Sequence, residues 1–378
     1  MQLPDAFGGV YAGRTVLVTG HTGFKGAWLC HWLGLLGARV VGYSNRVPTS
    51  PSLFETAGIA DNLRDHRGDI CDAAALTEVF ETERPQAVFH LAAQPIVRQA
   101  YEDPVETVRT NVLGTVQLLE AARRASGVEA VVVVTSDKCY DNRGTPWPYR
   151  ETDMLGGHEP YSASKASAEI MSAVYMSSTF HTAAGSNSPF ALATARAGNV
   201  IGGGDWARDR LIPDLVASIL AGNDIVLRAP NATRPWQHVL EPLSGYLWLM
   251  ALLLHNPEGV RGAWNFGPGQ AQAWTVRAVA EEVIERWRGA VSRVVVQPDM
   301  VGKEAQALRI DSSKAAAELG WIAAWDTAET INRTIDWYRA WSAGEKALGA
   351  LCSQQIADYE KAAHASAWTA GRWPRQIR

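Results

Sequence analysis

The chain has 378 residues, 47% hydrophobic and 20% charged, with a formal net charge of −4 and no Lys/Arg-rich run, which excludes disorder and argues against non-specific nucleic-acid binding. Four scattered cysteines (Cys30, Cys71, Cys139, Cys352) form no C-x-x-C pair, so neither a disulfide framework nor a metal site is expected. No basic-then-apolar leader and no apolar run of spanning length is found, so a soluble cytoplasmic protein with no membrane partner is expected.

In chain order, residues 15–19 (TVLVT) read as a short strand, followed by Gly20-His21-Thr22-Gly23-Phe24-Lys25-Gly26 and by helical apolar spacing over 27–36. Glycines spaced by three between a strand and a helix make a tight turn whose backbone can touch a pyrophosphate, with the free N–H groups of the helix holding the anion. Residues 37–43 read as the second strand of the same βαβ unit, but Ser44-Asn45-Arg46 follows, with no acid to bind an adenosine ribose. On these residues alone NAD and NADP stay open. Asp69, in Gly68-Asp69-Ile70, either meets an adenine edge or caps a helix over 73–80.

Residues 87–93 form another buried strand ending in small residues, Leu91-Ala92-Ala93, and Thr110-Asn111 leads into an amphipathic helix over 116–124. The all-valine run 131–134 suits a central parallel strand covered on both faces, and Thr135-Ser136-Asp137-Lys138-Cys139-Tyr140 stands where it ends. That carboxyl edge is where open α/β sheets bind ligands. Tyr161 and Lys165 are four apart and share one helix face; a cation one turn from a phenol favours the phenolate, which suits Tyr161 to act as a general base. The same pair is also compatible with an ordinary surface helix.

Beyond this point the alternation of strands and helices loosens. A polar loop over 181–189 and a strand over 190–196 lead into the glycine-rich stretch 196–206, and Asp209-Arg210-Leu211-Ile212-Pro213 opens a helix. Arg210 and Arg234 could clamp a diphosphate, because guanidinium forks match phosphate oxygens, or sit in surface ion pairs. Asn265-Phe266-Gly267-Pro268 and residues 305–321 read as pieces of a smaller lobe; Trp337, Trp341, Trp368 and Trp373 read as packing or interface residues.

These motifs resemble those of extended short-chain dehydrogenases/reductases acting on nucleotide sugars. More narrowly, residues 18–26, 135–140, 196–206 and 234–242 are similar to the CDP-glucose 4,6-dehydratases, a likeness running from about residue 10 to about 340. The resemblance implies an α/β fold: a Rossmann-type doubly wound parallel sheet over 10–195, a smaller C-terminal α/β substrate-binding lobe over 196–345 with some strands returning to the sheet, and a helical tail over 346–378. It implies NAD as cofactor and CDP-glucose as substrate. The C4 hydroxyl would be oxidised, water lost across C5–C6 and hydride returned to C6.

In that reaction Tyr161 matches the base at C4, Lys165 the lysine holding the nicotinamide ribose, and Ser136 the hydroxyl on the C4 oxygen. Asp137 matches the acid for the departing C6 hydroxyl, a carboxyl kept protonated by burial or by the approaching sugar. Lys138 is either the C5 base, if neutral, or an electrostatic stabiliser of the enolate. The pyrophosphate positions are Gly20, Thr22, Gly23, Phe24, Lys25 and Gly26, with Asp69 and Ile70 at the adenine, and Leu91, Ala92, Ala93 and Asn111 along the cofactor. Gln94, Asn199, Arg210, Arg234 and Asn265 match substrate positions. A homodimer or homotetramer built on two helices per subunit is implied, one bearing Tyr161 with Ile170, Ala173 and Val174. A nucleotide-sugar 4-epimerase shares the fold but needs no acid/base pair at 137–138, and a non-catalytic NAD-sensing module would not need the Tyr–Lys pair.

Overall fold

The computed structural model describes residues 3, 6–177, 180, 190–269, 274–289, 292–297 and 308–365. The expected loop over 181–189, residues 305–307, Trp368 and Trp373 lie outside them. The strands are β1 (Thr15–Thr19), β2 (Arg39–Ser44), β3 (Arg64–Arg67), β4 (Ala87–His90), β5 (Ala130–Val134), β6 (Ala191–Ala197), β7 (Val200–Ile201), β8 (Ile225–Leu227), β9 (Thr233–Arg234), β10 (Gln237–His238), β11 (Gly262–Phe266), β12 (Trp274–Thr275) and β13 (Val294–Val296). Seven of them form one parallel sheet in the order β11-β6-β5-β4-β1-β2-β3.

Every residue of β1 and β5 is buried, because helices cover both faces and neither parity of side chain meets water. Val16, Val18, Val132 and Val134 point into one core, and Leu17, Val131 and Val133 into the other. The edge strand β3 is Arg-Asp-His-Arg and mostly exposed, which blunts an otherwise open sheet edge. Strand order reverses between β1 and β4, so the crevice at their carboxyl ends is the expected ligand site of a doubly wound sheet.

The helices are α1 (Phe24–Leu35), α2 (Leu53–Thr56), α3 (Ala73–Glu83), α4 (Val97–Glu102), α5 (Pro104–Val108), α6 (Gly114–Arg124), α7 (Pro160–Met176), α8 (Leu211–Ala221), α9 (Leu240–His255), α10 (Val276–Trp287), α11 (Thr327–Ser342) and α12 (Leu348–Ala365). The strand expected over 87–93 stops at His90, where Leu91–Ala93 turn out into the crevice. The helix expected from residue 27 begins at Phe24, inside the glycine motif.

Of the 16 residues of α9, thirteen are buried. A helix apolar all round belongs in a core, and this one packs against β5 and β6 beneath the sheet. Its Glu241 carboxylate accepts the Ala324 and Trp325 N–H groups and the Tyr359 hydroxyl of α12. α12 in turn covers α1: the Trp32 indole donates to Glu360 at 2.9 Å, and the Trp32 and Tyr359 rings meet edge to face at 5.8 Å. Trp337 and Trp341 are packing residues; Trp337 lies so close to Gly203 that a Cβ there would fall 2.0 Å from the indole. Among the described residues no helix is long and apolar enough to cross a membrane.

Candidate active site

One cleft of ≈ 3070 Å³ opens at the carboxyl edge of the sheet, bounded by the β1–α1 turn, the ends of β4 and β5, the start of α7 and the loops before and after α8. A single small-ligand pocket is about 300–1,000 Å³, so this one has room for a dinucleotide and a nucleotide sugar together.

The turn is built by glycine. Gly20 has φ 74°, and a Cβ on it would lie 2.7 Å from the Ala92 nitrogen; one on Gly26 would lie 2.1 Å from the Gly20 carbonyl. Gly23 caps α1 with no side-chain hydrogen bond, so no side chain satisfies the first N–H groups of the helix, which is the geometry that takes a phosphate. The Thr22 hydroxyl donates to the Arg46 carbonyl at 2.7 Å and pins the loop after β2. His21, missed from sequence, is fully buried: its Nε2 meets Asp65 at 2.9 Å and its Nδ1 the Ser44 hydroxyl at 3.0 Å. It lies over Gly42, where a Cβ would sit 2.3 Å from the ring.

At the far end Asp69 lines the cleft, accepting the Cys71 N–H at 2.9 Å and pairing with Arg109 at 2.6 Å. Burial pushes its carboxyl up, but these two partners prevail and hold it below the usual range. Asp72, not Asp69, caps α3, accepting the Ala74 and Ala75 N–H groups. Ile70 packs against Gly114.

The reactive groups meet where β5 ends. The Thr135 hydroxyl donates to Glu169. The Ser136 hydroxyl donates to Asp137 Oδ1 at 3.0 Å and accepts the Lys138 N–H at 3.2 Å. Asp137 Oδ2 is buried against Gly198 with no hydrogen-bond partner. Leaving such an oxygen unpaired costs about 1–3 kcal/mol, so the position calls for a proton or a ligand. Lys138 is half-buried in the cleft wall.

Glu159 caps α7 through the Tyr161 and Ser162 N–H groups, which sets Tyr161 and Lys165 facing the cleft. The expected depression of the Tyr161 phenol is absent: burial pushes it up to about 12, against a hydrogen bond with Ser136 that lowers it. Lys165 donates to the Val134 carbonyl at 3.4 Å, and its own burial pulls it down to about 8. Lys25, expected on phosphate, ends instead on the Tyr246 hydroxyl at 3.4 Å. Among the described residues no cluster of His, Cys, Asp and Glu could hold a metal ion.

Behind the cluster lies a buried network that the sequence motifs did not reveal. Glu169 and Arg196 pair in a bidentate fork at 2.9 and 2.8 Å, Thr194 donates to Glu169 at 2.7 Å, and Arg196 reaches the Tyr140 hydroxyl at 2.8 Å. Asn265 belongs to this network and does not line the cleft. It is fully buried, its Oδ1 accepts the Tyr140 hydroxyl at 2.7 Å, and its amide donates to the Tyr149 and Asp311 carbonyls. Asn111 is likewise absent from the cleft lining: its amide nitrogen bonds Ser164 and the Gln94 carbonyl, its oxygen the Gln94 N–H. Gln94 lines the cleft, yet its side chain is spent on Thr107 and the Ile96 N–H. Asn199, Arg210 and Arg234 line the cleft, Arg210 held by Asp205 at 2.8 Å and Arg234 donating to the Thr233 carbonyl at 3.0 Å.

Residues 17–334 match the family model described as GDP-mannose 4,6 dehydratase. The chain belongs to this family. Within it, the CDP-glucose 4,6-dehydratase of Salmonella typhimurium is 45% identical over 353 residues, covering 93% of this chain and 98% of that protein. Two solved structures share the architecture. The UDP-glucose 4-epimerase of Thermus thermophilus in complex with NAD superposes with a TM-score of 0.72 at 27% identity, covering 86% of this chain and 99% of that one. The dTDP-glucose 4,6-dehydratase of Streptomyces venezuelae, with NAD and TYD bound, gives 0.71 at 25%, covering 89% and 100%.

Proposed function

We propose that this chain is an NAD-dependent lyase that removes water from CDP-glucose, giving CDP-4-keto-6-deoxyglucose. The observation that carries the reading is the run Ser136-Asp137-Lys138 beside Tyr161: an acid with a buried, unpaired oxygen stands next to a phenol, in a chain 45% identical to a CDP-glucose 4,6-dehydratase. An epimerase eliminates nothing and has no use for that acid.

The glycine turn and the uncapped start of α1 fit a dinucleotide. Gly20, Gly23 and Gly26 would hold its pyrophosphate, Asp69 and Ile70 its adenine, Leu91–Ala93 its ribose and nicotinamide side, and Lys165 its nicotinamide ribose. When bound, NAD supplies a hydride acceptor at C4 and returns the hydride to C6. Tyr161 takes the C4 hydroxyl proton while Ser136 bonds the same oxygen. Asp137 gives its proton to the departing C6 hydroxyl, and Lys138 supplies the amine or ammonium that C5 deprotonation needs. Arg210 and Arg234 meet the diphosphate with guanidinium forks, beside Asn199.

Incubating the purified protein with CDP-glucose, UDP-glucose and dTDP-glucose separately, with mass spectrometry of the products, tests the reading. Loss of one water from CDP-glucose without net NADH is expected. Conversion to the galacto isomer at unchanged mass would make the protein an epimerase.

The protein works in this reading as a cytoplasmic homo-oligomer, in line with its four free cysteines. Val105 and Val108 of α5, Leu113, and Ile170 and Val174 of α7 are large apolar residues left exposed. Pairing two copies of this face would bury them. Ile170→Glu with Val174→Glu is expected to shift the sedimentation coefficient from dimer to monomer; an unchanged value would place the interface elsewhere.

A further inference from the structure

The register of the sheet brings Gly198 to the acid. Val134 of β5 pairs with Ala195 of β6, and the Thr135 N–H donates to the Ala195 carbonyl at 3.0 Å. Three residues on from that pair, Asp137 and Gly198 still stand side by side, and both line the cleft. A Cβ built on Gly198 would fall 3.1 Å from Asp137 Oδ2 and 3.2 Å from Cγ of Pro235, the residue after β9. Both separations are tighter than ordinary van der Waals contact, so a side chain at 198 would press the carboxyl on one side and the proline ring on the other. The three heavy atoms nearest to that Cβ all belong to Asp137 and Pro235.

The Asp137 carboxyl is held unevenly. Its Oδ1 accepts the Ser136 hydroxyl at 3.0 Å, whereas the buried Oδ2 has no hydrogen-bond partner. Neither a glycine Cα nor a proline ring offers Oδ2 a donor. One oxygen is thus fixed by a hydrogen bond and the other by the shape of the gap. We propose that Gly198 is a positioning residue for Asp137: its missing side chain leaves the gap that seats the carboxyl for the C6 hydroxyl. This role rests on the dehydratase reading above, and it separates the two halves of that reaction. In the first half the C4 hydride passes to NAD and the C4 hydroxyl proton to Tyr161. In the second half C5 loses its proton, the C6–O bond breaks, and the departing hydroxyl takes the Asp137 proton and leaves as water. A carboxyl displaced by a Cβ stalls the second half alone, and the hydride then stays on the cofactor as NADH beside a 4-keto sugar.

The test is stopped-flow NADH absorbance and rapid-quench kinetics with Gly198→Ala on CDP-glucose and on CDP-6-deoxyglucose, which has no C6 oxygen and can only be oxidised at C4. Gly198 does not hold a left-handed backbone, so alanine fits the main chain there. The variant is expected to oxidise CDP-6-deoxyglucose at the wild-type rate. It should lose water from CDP-glucose about 10²-fold more slowly, the lower end of what a positioned acid contributes, and build up bound NADH on CDP-glucose where the wild type builds up none. In an Asp137→Ala background the same substitution should change nothing further, because the shortened side chain no longer meets the Cβ. Equal slowing on both substrates, unslowed water loss, or a further loss in the Asp137→Ala background would each overturn the proposal. Should Gly198→Ala alone lose its bound NAD, recovery in the double variant would place the clash at Asp137, and no recovery would overturn it. A wild-type protein that removes no water from CDP-glucose would instead overturn the dehydratase reading itself.

Discussion

Tyr161→Phe is expected to lower kcat for water loss from CDP-glucose by about 10²–10⁴-fold, the range a positioned general base supplies, with bound NAD and KM little changed. The phenol is buried, and its hydrogen-bond partner Ser136 and the nearby Arg210 do not offset that burial, so it rests near 12. A base at 12 would be deprotonated in about one molecule in 10⁵ at pH 7, so the working site has to pull it down. The groups placed to do so are Lys165, once its ammonium turns from the Val134 carbonyl, and the positive charge of the oxidised cofactor. A base must be deprotonated to act, so kcat/KM falls as pH drops below the working value. That acidic limb should vanish in Tyr161→Phe, and a profile that keeps it would assign the limb to another group. The Ser136 hydroxyl remains in the variant, which separates loss of the base from loss of the C4 contact.

Glu169→Ala is expected to destabilise the fold by about 3–5 kcal/mol, read as a lower denaturant midpoint, because it strands a buried guanidinium. Both Glu169 and Arg196 are about 3% exposed at their side chains, and the carboxylate also accepts the Thr135 and Thr194 hydroxyls. Removing it frees four donors at once, two N–H groups of Arg196 and the two threonine hydroxyls. The double variant Glu169→Leu with Arg196→Met should recover most of the loss, since an apolar pair of similar volume needs no partner. Activity should not recover with it. Thr135 immediately precedes Ser136, and Arg196 holds Tyr140 just past Lys138, so the network fixes the backbone on both sides of the three reactive residues. A double variant with wild-type turnover would show that the loop holds its own shape.

The parts of this molecule written in local pattern were legible. The strand–turn–helix at 15–35, the valine run of β5, and the Tyr–Lys spacing each follow from periodicity or from a glycine's freedom, and each lies at the cleft. The parts set by distant contacts were not. The apolar run inside α9 gave no hint that the helix lies under the sheet, because only its neighbours β5 and β6 decide that. Asn265 carries the same amide whether it meets a sugar or a tyrosine; residues 140, 149 and 311 settle the matter from far along the chain. Glu169 had a local signal, one turn after Lys165 on the buried side of α7, but its partner Arg196 lies 27 residues on. Lys25 was assigned by the motif around it, and a motif fixes where the backbone goes without fixing where a long side chain ends.

The lid that α12 forms over α1 has a consequence for how the chain must be made. At about 5–20 residues per second, the ribosome finishes residue 365 roughly 20–70 s after β1 has left it. Throughout that interval Trp32 lacks Glu360 and Tyr359, and until β11 and α9 follow, β6 is an open edge and one face of the sheet is bare. The half of the molecule that grips the cofactor is synthesised first and sheltered last. A nascent chain halted near residue 340 would therefore present a sticky aromatic surface to chaperones and to other nascent chains, although nearly every group in the cleft had already been translated.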